Sequence, residues 1–185
     1  MVDLVTEQWP AGSLAFERAE TALMRVPPRD LTRDRLVDGR VLRYAYLISG
    51  VVASGACLLA YFEVFLAAGI TGPDLWQATT RGFFQGDGSP PFVTAAGATF
   101  DAAAQMAVAN AAHSAYFFNL VATQAVNVFL CKTRLTSVCV HGPLANAHTG
   151  YAVFFAIACA LFFVFMPFLA AVFYNGPING YSMFM

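Results

Sequence analysis

The 185-residue chain is too apolar for a soluble globular protein. Hydrophobic residues make up 58% of it and charged residues 11%, whereas roughly 25% of the residues in soluble domains are charged. Ten basic and eleven acidic residues leave a formal net charge of −1, so there is no excess positive charge to attract nucleic acid. The composition therefore predicts an integral membrane protein whose main partner is membrane lipid, and it argues against nucleic-acid binding.

The cysteines and the N-terminus further restrict the class of membrane protein to which the chain can belong. The four cysteines (Cys57, Cys131, Cys139 and Cys159) have no CxxC spacing, so neither a disulfide framework nor a zinc site is predicted, and we expect reduced, buried thiols. Asp3 and Glu7 lie where a secretory signal peptide would have a basic region. Insertion is therefore expected to depend on the internal apolar segments.

The first apolar piece, residues 1–17, is expected to form a partial helix. Met1 to Phe16 would be at most about 24 Å long as an ideal helix, which is shorter than the roughly 30 Å of a hydrocarbon core. Residues 18–43 follow as an Arg-rich loop with seven of the ten basic residues. Within it, Pro27 and Pro28 predict an extended turn after a helical stretch that ends near Met24.

Three later segments are long enough to cross a bilayer as helices. The first, 44–70, is interrupted only by Glu63, and the second, 105–131, has a polar interior without an ionised residue. The third, 150–174, is uncharged and contains Pro167, where we expect a kink. The predicted fold class is all-α: a multi-pass transmembrane helical bundle with three full spans and a partial N-terminal helix.

The basic residues predict the orientation of these spans, because cytoplasmic loops accumulate Arg and Lys. The predicted order is a cytosolic loop at 18–43, an exoplasmic loop at 71–104, a cytosolic loop at 132–149 and an exoplasmic tail at 175–185. The run from Gly86 to Pro91 is rich in turn residues, and nothing in 71–104 predicts a folded domain.

Individual residues of the spans leave alternatives open. Glu63 lies roughly 29 Å along a helix from Tyr44, so it is expected to reach water at the outer interface or to contact a neighbouring span. His113 could hydrogen-bond between helices or respond to protons. The small residues Gly50, Ser54, Gly55 and Ala56 favour close approach of another helix.

Asp3 and Glu7 are the strongest candidates for a binding site. Ionisable residues in an apolar segment are costly and usually line an ion path or a water-filled cavity. Their i, i+4 spacing places both on one helix face, and oxygen ligands suit hard cations. Thr6 adds a hydroxyl, and Pro10 frees the Thr6 carbonyl from helix bonding. The alternative is a polar helix end in water, with the acids stabilising the helix dipole.

Two blocks of sequence resemble type II P-type cation pumps. The first block resembles the sixth membrane helix and the following loop of the Na,K-ATPase and H,K-ATPase catalytic subunits. It consists of residues 3–17, Ala19-Glu20, Met24 to Arg29 and Asp34 to Val37. Its two adjacent prolines also resemble the calcium pumps. Residues 113–118, 122–124, 131–134 and 137–138 are similar to the eighth helix and its cytosolic end. The resemblance covers nearly the whole chain in the same order, from within the sixth helix to the end of the ninth.

The resemblance implies a set of site residues. Asp3 and Glu7 would be cation ligands, Thr6 a supporting ligand, and Pro10 the residue that keeps the helix locally unwound. Gln124 matches a glutamine near a further sodium site, but Asn127 stands where the family has an acid. The alternative for Gln124 and Asn127 is hydrogen bonding between helices. The ninth-helix glutamates of the sodium pump are replaced around Phe154–Ala156, which argues against a third sodium site.

The implied function is that of the C-terminal membrane part of a P-type cation pump, contributing helices and part of a cation site. The DKTGT phosphorylation motif and the nucleotide-binding motifs of the family are absent from the sequence, so the chain alone is not expected to be catalytically competent or to bind a cofactor. ATP and Mg²⁺ would belong to a full-length pump, and a completed site would take a monovalent cation or Ca²⁺.

The implied partners are the other half of the pump and a pump accessory subunit, and the implied location is the plasma membrane. The short first helix favours a fragment of a pump. The alternative is a stand-alone, pump-derived membrane protein that binds or regulates other membrane proteins through its small-residue faces.

Overall fold

The computed structural model describes residues 2–19, 30, 37–84, 88–133, 137–142 and 145–166. Its elements, in chain order, are α1 (Val2–Ser13), a 3₁₀ turn (Leu14–Phe16), α2 (Gly39–Arg43), a π-helical segment (Tyr44–Gly50), α3 (Val51–Ala67), α4 (Gly72–Arg81), β1 (Phe92–Val93), β2 (Thr99–Phe100), α5 (Ala102–Cys131), α6 (Val138–His141) and α7 (Ala147–Phe165). The turn predicted at Pro27-Pro28, the kink predicted at Pro167 and the tail at 175–185 lie outside the described residues.

Three helices dominate the fold. α2, the π-helical segment and α3 join into one helix, Gly39–Ala67, and this helix, α5 and α7 are each long and apolar enough to span a membrane. α1 has 12 residues, which is too short to cross a bilayer. Within the described residues, these observations confirm the prediction of an all-helical membrane fold with three full spans and a partial N-terminal helix.

The ends of the first long helix are fixed by local chemistry. The Asp38 carboxylate accepts hydrogen bonds from the backbone N–H groups of Arg40 and Val41, at 3.0 and 2.9 Å, which caps two unpaired donors at the helix start. The helix ends before Gly69, whose φ of +79° is the left-handed conformation typical of a glycine after a helix C-terminus. The helix is therefore displaced toward the N-terminus relative to the apolar run at 44–70.

The π-helical segment also depends on a glycine. A Cβ atom at Gly50 would lie 3.1 Å from the carbonyl oxygen of Ala45, which is tight for a side-chain carbon. Segments of π-helix are rare and are often found near functional sites. Ser49 lies inside this segment, and its hydroxyl donates a hydrogen bond to Asn127 of α5.

The chain divides into two compact units. The first comprises Met1–Ser54 and Val121–Cys159, and the second comprises Gly55–Leu120 and Ala160–Met185. The buried apolar residues of the first unit are small: Val121, Ala125, Ala152, Val153 and Ala156. Small side chains let helix backbones approach closely, which is the usual way in which helices pack in membranes.

The second unit contains a folded region that the sequence analysis did not anticipate. Residues 71–104, predicted to contain no folded domain, form α4 and an antiparallel hairpin in which Phe92 pairs with Phe100 and Val93 with Thr99. Their buried core consists of Phe65, Ile70, Ala78, Phe92 and Ala112. The apolar residues of this loop are too scattered to form a periodic run, and they pack against α3 and α5, which explains why the sequence did not indicate these elements.

Gln105 holds this region together by hydrogen bonds. Its side chain is completely buried. Its amide nitrogen donates to the carbonyl oxygens of Pro90 and Phe100, at 2.8 and 3.0 Å, and its amide oxygen accepts from the backbone N–H of Phe84 at 3.1 Å. A buried amide with both its oxygen and its nitrogen paired specifies one arrangement of the loops around it.

Asp74 makes a second cross-link, and its removal gives a testable prediction. One carboxylate oxygen accepts from the Thr71 hydroxyl and N–H, at 2.6 and 3.0 Å, and the other accepts from the Ala95 N–H at 3.0 Å. Asp74→Ala leaves the two N–H groups without an acceptor. We expect faster hydrogen exchange at the Thr71 and Ala95 amides in the purified, membrane-reconstituted chain.

The pH dependence of this contact has a definite sign. The hydrogen bonds from Thr71 and Ala95 outweigh burial and hold the pKa of Asp74 below its ordinary value of 3.8. The stabilisation is therefore complete above pH 3.8 and is lost as the pH falls through the lowered pKa. Asp101→Ala is a matched control, because Asp101 accepts only a local bond from the Ala104 N–H in the described hydrogen bonds. Unchanged exchange at Ala95 in Asp74→Ala would contradict the assignment.

The four cysteines, and His113 and Glu63 of the spans, differ in their exposure. All four cysteines are free, as expected, but only Cys57 is buried. The expectation of burial is wrong for Cys131 and Cys139, because the first ends α5 and the second lies in the short α6. His113 is exposed, with its ring centroid 5.9 Å from that of Tyr61, and Glu63 is half-buried.

Candidate functional site

The candidate site begins on α1. Thr6 is buried, with 3% of its surface exposed, and Pro10 is also buried, whereas Glu7 is exposed. α1 continues through Pro10 to Ser13, and the backbone tightens to a 3₁₀ turn only at Leu14–Phe16. The local unwinding expected at Pro10 is therefore absent, because one missing N–H and a fixed φ near −65° can be accommodated within a helix that is otherwise hydrogen-bonded.

A small cleft of about 180 Å³ collects four of the five predicted ligands. α1 contributes Thr6 and Glu7 to its wall, and α5 contributes Gln124 and Asn127. These residues all belong to the first unit. The fifth candidate, Asp3, lies within α1, but its side chain is outside the described part of the structure.

The remaining wall of the cleft is mostly apolar. It consists of Pro10, Ala11, Leu14, Val121, Ala125, Val128, Cys131 and Ala156. Among the side chains that the structure describes, Glu7 is thus the only acidic or basic one in this lining. A carboxylate, a hydroxyl and an amide oxygen are hard donors, which suit Na⁺, K⁺, Mg²⁺ or Ca²⁺ better than a soft transition metal. Among the described residues, no group of three or more His, Cys, Asp or Glu side chains could hold a metal ion.

Asn127 has a structural contact in addition to its place in the cleft. Its Oδ1 atom accepts from the Ser49 hydroxyl at 3.4 Å and from the Cys131 thiol at 3.9 Å. Oδ1 is also the atom through which an asparagine would bind a cation. The geometry therefore favours the interhelical hydrogen bond for Asn127, and it leaves Thr6, Glu7 and Gln124 as the candidate ligands with described side chains.

Comparison with known proteins identifies the family. The model of the family described as cation transporting ATPase, C-terminus, matches residues 1–185. The chain belongs to the C-terminal family of cation-transporting ATPases. The three long apolar helices therefore belong to a membrane region of this family.

Three relatives of this ATPase region illustrate the likeness. The sodium/potassium-transporting ATPase subunit alpha of Drosophila melanogaster is 28% identical over 166 residues, and subunit alpha-B of Artemia franciscana is 29% identical over 166 residues. The potassium-transporting ATPase alpha chain 1 of Xenopus laevis is 27% identical over 178 residues. The alignments cover 90%, 90% and 96% of this chain but only 16%, 16% and 17% of those relatives.

A second, larger cleft of about 720 Å³ lies between α1 and α7 of the ATPase region. Its wall is mainly aromatic and apolar and includes Trp9, Phe16, Tyr151 and Phe155. The Trp9 and Phe155 rings meet edge to face with centroids 5.7 Å apart. The described residues that line this cleft include no carboxylate, so its chemistry differs from that of the cleft around Glu7.

A polar network that the sequence does not indicate lies just beyond α1. Oε1 of Glu17 lies 3.1 Å from Nε2 of His141 and 3.4 Å from Nζ of Lys132, and Oε2 accepts from the Asn146 amide at 3.0 Å. In the sequence, Glu17 stands out only as the last residue of the block 3–17 that resembles the pump family. The partners are 115 to 129 residues away along the chain, so no local spacing could have indicated them.

The charge state of Glu17 follows from these contacts. Burial acts to raise the pKa of Glu17, but the hydrogen bonds with Asn146 and His141 and the positive charge of Lys132 outweigh it, and the pKa lies below the ordinary value of 4.5. The carboxylate is therefore ionised at neutral pH. An ionised carboxylate beside a buried ammonium is an ion pair that depends on its geometry.

Proposed function

We propose that this ATPase C-terminal region contributes part of a cation-binding site to a P-type pump of the plasma membrane. Glu7 supplies the charge, and Thr6 and Gln124 supply further oxygen ligands. The observation that carries the proposal is the single cleft lined by these three residues, which come from two helices more than 100 positions apart in the sequence.

Asp3 extends the proposed ligand set. It lies four residues before Glu7 within α1, which places the two residues on one face of the helix. Two carboxylates at this spacing repel each other unless a cation, a proton or a donor lies between them. Asp3 is therefore proposed as the second charged ligand, and Asn127 as a residue that shapes the cleft through its bond with Ser49.

The rest of the pump would supply the remaining chemistry. The chain spans about one sixth of the relatives that it matches, and those relatives are named as alpha subunits or alpha chains of ATPases. We propose that ATP and Mg²⁺ are used by a part of the pump upstream of this region, that a monovalent cation or Ca²⁺ completes the site, and that a pump accessory subunit is a partner.

A hybrid pump tests this function. Residues 1–185 would replace the matching part of the fruit-fly alpha subunit, with the unmodified fly subunit as the positive control. We expect cation-stimulated turnover of the phosphorylated enzyme in the hybrid, because the cleft restores ligands from both α1 and α5. The rate of phosphoenzyme decay would be measured with and without Na⁺, K⁺ or Ca²⁺.

The same experiment separates the proposal from a stand-alone regulatory protein. A hybrid that reaches the membrane in folded form and shows no cation-dependent turnover would contradict the proposal. Stable association of the separate 185-residue chain with an intact pump, together with a change in that pump's turnover, would then favour the regulatory alternative.

A further inference from the structure

Glu17 joins the end of the ligand-bearing helix to three other elements. It follows the 3₁₀ turn directly after α1. Its partners are Lys132, next to the end of α5, His141, at the end of α6, and Asn146, next to the start of α7. One carboxylate therefore ties the end of α1 to the ends of α5 and α6 and to the start of α7.

Burial makes this connection sensitive to geometry. The side chain of Lys132 is 0% exposed and that of Glu17 is 11% exposed. Little water can therefore reach the two charges to compensate for the ion pair if the groups separate. Nζ of Lys132 also lies 3.4 Å from the carbonyl oxygen of Gly142. Breaking one partner of a buried ion pair is far more costly than breaking a pair in water.

A chain of hydrogen bonds extends from Glu17 toward the cleft. The Asn146 amide that binds Glu17 also donates to the Ser13 carbonyl oxygen at 3.2 Å. The Ser13 hydroxyl donates to the Pro10 carbonyl oxygen at 2.6 Å and lies 3.3 Å from the Thr149 hydroxyl. Pro10 belongs to the wall of the cleft, so the network reaches the ligand-bearing part of α1 through buried groups.

We propose that Glu17 is a positioning residue for the cation cleft: through Lys132, His141 and Asn146 it fixes the axial position and rotation of α1, and so holds Thr6 and Glu7 opposite Gln124. This inference rests on the proposed function of the cleft. A residue in this role does not touch the cation. It sets how well the ligands are placed, and changes at such supporting residues typically lower metal affinity by about 10- to 100-fold.

The first arm of the test measures the position of α1 and needs no cation. The full chain is reconstituted in lipid nanodiscs with Cys57, Cys139 and Cys159 replaced by Ser, and Leu14→Cys is paired with native Cys131, since both positions line the cleft. Cross-linking by a short bifunctional maleimide is compared with and without Glu17→Gln. We expect loss of most of the cross-linked product in Glu17→Gln and no change in Arg18→Gln, its exposed neighbour.

A conservative variant keeps the proposal testable if Glu17→Gln folds poorly. Glu17→Asp retains a carboxylate that can accept from Lys132, His141 and Asn146, and we expect it to keep a larger share of the cross-linked product than Glu17→Gln. Full cross-linking in folded Glu17→Gln, or equal losses in folded Glu17→Asp and Glu17→Gln, would overturn the positioning role.

The second arm uses the hybrid pump. We expect Glu17→Gln to raise the cation concentration for half-maximal turnover about tenfold while the maximal rate of the folded fraction stays close to that of the parent. A purely structural role would lower the amount of folded pump without moving this concentration. If Glu7 proves irrelevant to cations while Glu17→Gln still abolishes cross-linking, the proposed function fails and the anchoring of α1 stands, so the two failures are distinguishable.

Discussion

Replacing Glu7 with glutamine in the hybrid pump is expected to abolish cation-dependent turnover at the cation concentrations that saturate the parent hybrid. Glu7 is the only acidic or basic side chain of the cleft lining in the described part of the chain, and the affinity of a hard-cation site depends strongly on the charge of its ligands. Glutamine keeps the size and one oxygen of the side chain but removes the charge. We expect apparent cation affinity to fall by on the order of 100-fold or more, measured as the concentration that gives half-maximal phosphoenzyme turnover.

Two matched variants define what this result means. Glu7→Asp keeps the charge on a shorter side chain and is expected to retain turnover with weakened affinity. Glu63→Gln removes a half-buried carboxylate of α3 that is not part of the cleft lining, and it should leave cation affinity unchanged. A hybrid that turns over and is indifferent to Glu7→Gln would mean that Glu7 is a solvent-facing residue near a helix end, as the alternative interpretation of the sequence holds.

Hydropathy predicts the membrane-spanning part of each helix better than it predicts the helix ends. The second span was predicted at 105–131, and α5 runs from Ala102 to Cys131. The first was predicted at 44–70, whereas the helix covers Gly39–Ala67. Lipid selects for apolar residues only where it contacts the helix, while the ends depend on caps such as Asp38 and on the left-handed Gly69.

The candidate site was predictable to the extent that its chemistry is local. Asp3, Thr6 and Glu7 stand out because oxygen-bearing residues interrupt an apolar segment. Gln124 was indicated by the resemblance to the family, and the cleft places it with Thr6 and Glu7. The bond between Ser49 and Asn127, which are 78 residues apart, was not predictable, because it depends on how two helices are paired and rotated.

The Glu17 network illustrates the same limit more strongly. A glutamate at a predicted helix end, and lysine, histidine and asparagine at predicted loop positions, are usually solvated, and their sequence gives no reason to expect burial. The network forms because the turns after α1, after α5 and before α7 converge within the first unit. Because Lys132 is buried where these turns meet, its ion pair makes the carboxylate of Glu17 important for stability.

Glu17→Ala is therefore expected to destabilise the purified chain severely, by about 3 kcal/mol or more in free energy of unfolding. The buried ammonium of Lys132 loses the carboxylate 3.4 Å away, and the buried Asn146 amide loses an acceptor. Unfolding would be followed in mixed micelles by titration with a denaturing detergent. Lys132→Met should cost less, since Glu17 retains its bonds with His141 and Asn146.

The double variant Glu17→Gln/Lys132→Met separates pairing from packing. It removes both charges while nearly keeping both volumes, and replacing a buried ion pair with neutral groups of similar volume is often close to neutral in stability. We therefore expect the double variant to be more stable than Glu17→Ala. We also expect the losses of unfolding free energy in Glu17→Gln and in Lys132→Met not to add up to the loss in the double variant. Because the pKa of Glu17 lies below 4.5, the parent's advantage over the double variant should be complete above pH 4.5 and should decline as the pH falls through the lowered pKa. An advantage that persists unchanged in acid, or strictly additive effects, would show that the two side chains stabilise the helix ends independently and not as an ion pair.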